Sequence, residues 1–190
     1  MTQRGLYDRS VHDVLGFQKS LDAASPDTFI RRNMLRNNII SAAGAAVPTT
    51  GKLLVLDMPL EGGDLVTSIG FVTGTTAAGT PTSGFVALYD PDGKLLAQSA
   101  DFASTAMAAS TAFTKALATP TRVGRSGKYY VGWCVAATTM PTLIGAICAP
   151  AIATGETAPA RESTATYTTL APATLPSLTN RLDLPYFICV

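Results

Sequence analysis

The chain is short of charge, of histidine and of paired cysteines, and each shortage excludes a class of function. Asp, Glu, Lys and Arg make up 14% of the 190 residues, against roughly 25% in an ordinary soluble domain. The formal net charge is +1. A dedicated nucleic-acid binder concentrates basic surface, and this balance does not supply it. His12 is the only histidine, so a Ser-His-Asp relay would have to use it. No HExxH and no GxSxG segment is present, and a solvated His12 is the expectation. Cys134, Cys148 and Cys189 sit in apolar stretches with no CxxC pair. They are expected to be buried free thiols, with no zinc-ligand spacing among them. No apolar run reaches about 18 residues, so no membrane span is indicated. Met1-Thr2-Gln3-Arg4-Gly5 leads into mixed polar sequence and not an apolar signal core, so cytoplasmic synthesis is expected.

What is present is apolar sequence, 47% of the chain, enough for one domain with an appendage. With so few charges, the polar surface must come from Thr, Ser, Asn and Gln, or be covered by partners.

Residues 1–50 read as an N-terminal arm with one or two short helices. Ser10 with Asp13 resembles a capping box, and Val11, Val14, Leu15 and Leu21 roughly follow helical spacing. A second start is clearer. Ser25 can cap, Pro26 suits the first helical position, and Asp27 favours the positive end of the dipole. Phe29, Ile30, Met34 and Leu35 would form an apolar stripe, and Gly44 a stop.

From Lys52 the pattern becomes that of strands. Apolar runs at 52–58 (closed by Pro59), 65–72, 84–89, 94–99, 112–117 (ended by Pro120), 128–136 and 142–148 are separated by Gly- and Pro-rich links. Asp90-Pro91-Asp92-Gly93 fits a type I turn between two of them, with Gly93 able to take positive φ. Lys128–Ala136, dense in aromatic and β-branched residues, is the expected central strand. Residues 151–190 are Ala-, Thr- and Pro-rich and read as an extended segment over a surface. It ends in Pro185-Tyr186-Phe187-Ile188-Cys189-Val190, too apolar to dangle in water. The expected fold is all-β: an antiparallel β-sandwich over 51–150, jelly-roll-like or Ig-like.

Candidate sites are sparse. Asp57, Glu61 and Asp64 cluster near one turn, and Asp90 and Asp92 near another. A carboxylate pair could serve a glycosidase, and Asp90 with Asp92 could contribute to a calcium site, but turn-forming and solvated roles are expected. Gly74–Thr80 carries glycines without the lysine of a phosphate loop. Trp133, with Tyr129 and Tyr130, could stack sugars if exposed, but alternation sends one face inward and core packing is expected for Trp133. Arg31, Arg32 and Arg36, in the second predicted helix, could be a solvated face, could meet an acidic patch on a partner or, as a remote third option, could contact packaged DNA. The expected partner-binding set is therefore Phe29, Arg31, Arg32, Met34 and Arg36 from the arm, with Phe187 and Ile188 from the C-terminal end. No cofactor, metal or catalytic residue is expected.

Four stretches carry a resemblance: Ile69–Pro81, Phe85–Asp90, Leu95–Ser99 and Gly127–Gly132. Together, over about Leu65–Leu143, they resemble β-sandwich modules in structural proteins of tailed bacteriophages of actinobacterial hosts. The resemblance implies a non-enzymatic virion component, made in the host cytoplasm and then held in the particle. A head decoration protein is favoured. A minor tail or fibre-associated protein with carbohydrate or receptor binding is the alternative. The implied partners are other virion proteins and further copies of the chain, without membrane or specific nucleic acid. Residues 1–50 and 151–190 lie outside the resemblance, so location in a particle would be encoded there.

Overall fold

The computed structural model describes residues 31–34, 39, 41–103, 106–147 and 155–190. Those residues contain strands and no helix. In chain order the strands are β1 (Arg31–Arg32), β2 (Ser41–Ala46), β3 (Lys52–Leu60), β4 (Leu65–Val72), β5 (Gly79–Tyr89), β6 (Leu95–Gln98) and β7 (Ala112–Arg122). There follow β8 (Gly127–Thr139), β9 (Leu143–Ile147), β10 (Ala160–Thr166), β11 (Leu178–Asn180), β12 (Asp183–Pro185) and β13 (Phe187–Cys189). They form three sheets, ordered β11-β10-β3-β8-β5-β6, β1-β13-β4-β7 and β12-β9-β2. Every pairing is antiparallel.

The expected central strand is central: β8 lies between β3 and β5. Its run is nearly continuous in apolar residues because both its faces are covered. Tyr129, Val131, Trp133 and Val135 face an inner cluster, and Cys134 faces an outer one. β3 divides the same way, with Leu54, Leu56, Met58 and Leu60 inward and Leu53 and Val55 outward. The inner cluster draws on all three sheets, with Trp133, Phe71, Phe187 and Leu143 among its members. Phe71 sits among the rings of Phe113 at 5.4 Å, Phe187 at 5.7 Å and Trp133 edge-on at 5.9 Å. Aromatic pairs at such separations add about 1 kcal/mol each beyond area burial.

The Asp90–Gly93 turn forms as read. Gly93 takes φ +79° and its N–H donates to the Asp90 carbonyl at 3.0 Å. Asp90 Oδ1 accepts the N–H groups of Asp92 (2.9 Å) and Lys94 (2.8 Å).

Several expectations need correction. The helix starting at Ser25 does not extend through 31–32 or 41–46, which are strands. Helix propensity is a weak prior, and these residues complete ladders with β13 and β9 instead. The Val11–Leu21 helix lies outside the described residues, as do the cap at Ser25–Pro26, Phe29, Arg36, His12 and Cys148. Pro59 does not close its strand. The Asp57 N–H points at the Pro159 carbonyl (2.9 Å), so position 59 faces the same way but beyond the Leu56–Ala160 pair, where no ladder bond is lost. Pro120 likewise lies within β7, in the irregular stretch between the Val66–Thr121 and Ser68–Ala116 pairs at the sheet edge. The 150–180 region supplies two strands, β10 and β11, to the six-stranded sheet. Between them, residues 167–177 run over that sheet's outer face, where Tyr167, Ala171 and Leu175 pack.

Candidate functional site

The two segments outside the resemblance meet at one edge of the four-stranded sheet. Arg31 pairs with Cys189 and Arg32 with Ile188. Five of the seven expected partner-binding residues, Arg31, Arg32, Met34, Phe187 and Ile188, are thereby gathered, while Phe29 and Arg36 are outside the described residues.

Asn33 fastens the junction. Its N–H donates to the Phe187 carbonyl (3.2 Å), its Nδ2 donates to the Pro185 carbonyl (2.6 Å), and its Oδ1 accepts the Phe187 N–H (2.9 Å). On the far side β13 pairs with β4, Phe187 opposite Phe71. Val190 continues the edge, its carbonyl accepting the N–H groups of Thr67 (2.6 Å) and Ser68 (2.9 Å).

Arg31 is committed to the body and is not a solvated helix face. Its Nε donates to Asp64 Oδ2 at 3.0 Å and its Nη2 to Asp64 Oδ1 at 3.2 Å, with Glu61 Oε2 at 2.5 Å. The Arg31 and Asp64 side chains are 12% and 10% exposed, dry enough for the pair to matter. Burial alone would lower the Arg31 pKa. The hydrogen bonds and charges of Asp64 and Glu61 outweigh it and hold the guanidinium above its ordinary value. Phe187 is fully buried, so it anchors the strand and is not offered to a partner. Ile188 is half-buried against Gly70, where an added Cβ would fall 2.7 Å from Ile188 Cγ1. Arg32, Met34 and Ile188 keep partial exposure.

Glu61, Asp64 and Asn33 were missing from the expected set. The two acids were visible as a cluster, but nothing local in sequence announces that their partner is an arginine thirty residues earlier.

Among the described residues the other acidic groups are also engaged. Asp57 meets Arg161 at 2.7 Å and Lys128 at 3.3 Å, and both cations lie over the Tyr130 ring, at 5.1 Å and 5.7 Å. Asp90 shapes its turn, and Asp92 lies 3.5 Å from Arg125. Arg181 joins Glu162 and Asp183, each at 2.8 Å, and donates to the Val47 carbonyl. Among the described residues no three His, Cys, Asp or Glu gather in a way that could hold a metal ion. Among them, too, no helix is long and apolar enough to cross a membrane. Trp133 is fully buried and unavailable for stacking. In comparisons with known proteins, no protein-family model and no curated protein matches the chain.

Proposed function

We propose that the chain is a non-enzymatic structural component of a tailed-phage virion, a head decoration protein that docks through its terminal segments. The observation that supports this best is the junction of β1 with β13. It roots the segment preceding Arg31 and the C-terminal strand at a single sheet edge, so a lattice contact made by one is made beside the other. Repeated copies would multiply such contacts, because linked binding events proceed at high effective concentration.

The body is proposed as a β-sandwich with the six- and four-stranded sheets as its layers, Ig-like in two of its strand pairings. In an Ig-like sandwich strand B neighbours E, and C neighbours F. Here β4 pairs with β7 in one sheet and β5 with β8 in the other.

The alternative, a minor tail or fibre-associated protein that binds glycans, needs an exposed aromatic platform. Tyr130 is the best placed, and Arg161 and Lys128 already flank its ring.

Two experiments test the reading. Gold-labelled antibody against the chain should decorate the heads of intact particles densely; label at the tail end would favour the alternative, and no label would end the virion reading. A variant lacking residues 1–28 should keep its thermal transition, because β1 is retained, and lose binding to particles. Undiminished binding would overturn the docking role of the arm.

A further inference from the structure

Residues 167–177 leave β10 and return to β11, and in between they cross the outer face of the six-stranded sheet. At one end the Tyr167 N–H donates to the Gly51 carbonyl (2.7 Å). At the other, the Leu95 N–H donates to Ala173 O (2.9 Å) and the Leu175 N–H to Gly93 O (2.8 Å). Midway, Gln98 Nε2 donates to Thr169 O (3.2 Å) and Gln98 Oε1 accepts the Ala171 N–H (2.8 Å). The two ends of the crossing meet at the Thr164 N–H to Ser177 O bond (3.2 Å). Such a loop is closed by its own root and can move without disturbing the chain on either side.

Beneath it lies a strip of Leu53, Val55, Phe85, Ala87, Tyr89 and Cys134. Two features make the cover weaker than the cores it adjoins. Its apolar anchors are few: Tyr167, Ala171 and Leu175, with Leu178 at the root. Leu170, at mid-crossing, points away and is 72% exposed. Moreover, the Tyr89 hydroxyl is sealed beside Tyr167 and Cys134 and meets no hydrogen-bond partner among the described residues. That unmade bond is a cost of the closed arrangement alone, because opening restores water to the hydroxyl. Pro172 and Pro176 restrict the backbone of the segment.

We propose that residues 167–177 are a releasable strap, which lifts as one piece from the outer face and bares the strip from Leu53 to Cys134 while the sheets stay folded. This is a sub-global opening, drawn from the least stable end of the molecule's local equilibria.

Two thiols report on it. Cys134 lies under the strap, its Sγ 3.7 Å from the Tyr167 carbonyl, and Cys189 lies in the inner cluster. Both are fully buried. The full-length chain is exposed to a thiol-specific alkylating reagent under native conditions, and modification is read site by site by mass spectrometry. Cys134 should react at least about tenfold faster than Cys189, the separation expected of local against global opening. Gln98→Ala, which removes two tethers, should speed Cys134 and leave Cys189 unchanged. Tyr89→Phe, which removes the sealed hydroxyl, should slow Cys134 by about five- to a hundredfold. A Cys134 rate no faster than global unfolding of the same chain allows, measured in parallel by urea unfolding, or a Gln98→Ala effect shared equally by both thiols, would show that the strap opens only with the whole body and would overturn the proposal. An unchanged Cys134 rate in Tyr89→Phe would remove the hydroxyl as the cause of release.

Discussion

Arg31 shows how one side chain ties a segment to a body. With Asp64 only 10% exposed, removing the guanidinium leaves a nearly buried carboxylate without its bidentate partner. Arg31→Ala should therefore cost about 2–3 kcal/mol in urea unfolding. Adding Asp64→Ala should return part of that loss, because the stranded charge is gone, and a double-mutant cycle measures the coupling. The buried thiols predict an alkaline weakness. Burial pushes the Cys134 and Cys189 thiols up to about 12, well above the ordinary thiol range. Below pH 9 both states hold these protons, so the thiols leave stability unchanged with pH. Between about pH 9 and 12 the unfolded chain releases protons that the folded one keeps. Stability should then fall by about 1 kcal/mol per pH unit per thiol. Urea titrations at pH 8 and pH 10 check this, and Cys134→Ala should reduce the difference to the part that Cys189 contributes. Arg31 was legible in the sequence as a candidate, but its role was not. Composition marks an arginine near partners of opposite charge, and only the tertiary pairing says whether that partner is another protein or this one.

Elements were legible where their signals are local. The β5–β6 hairpin follows from four residues, Asp90 to Gly93, whose turn chemistry acts before any long-range contact forms. Asp90→Ala removes two side-chain-to-backbone bonds and should lower stability by about 1–2 kcal/mol in chemical denaturation, without altering the fold read by circular dichroism. β8 was legible because its aromatic and β-branched density is itself the packing requirement of a strand covered on both faces. β1 and β2 were not. Ser41–Ala46 is Ser-Ala-Ala-Gly-Ala-Ala, which carries no strand signal of its own. It becomes a strand because β9 presents an edge to it. The prolines at 59 and 120 misled for a related reason. A proline ends a strand only where its missing N–H has a ladder partner, and neither position has one on that side.

At the scale of the molecule, the segments that looked like appendages are shared among the sheets. β10 completes the six-stranded sheet and β13 the four-stranded one, so a cut at residue 50 removes β1, β2 and the buried Ala46. This is why the truncation that separates docking from folding should stop at residue 28. All-β order was readable from periodicity, but strand order was not, because pairing partners such as β1 and β13 lie at opposite ends of the chain and share no local pattern. That same pairing has a mechanical consequence. Arg31 lies opposite Cys189 in antiparallel register, so the chain entering β1 and the chain leaving β13 emerge on the same side. Tension that draws these two flanks apart loads the Arg31–Cys189 pair first and peels the edge open one rung at a time. Tension that draws both flanks in the same direction loads them together, against the stacked Phe187 and Phe71 rings. The joint is thus directional, weak to splaying and stronger to a parallel pull.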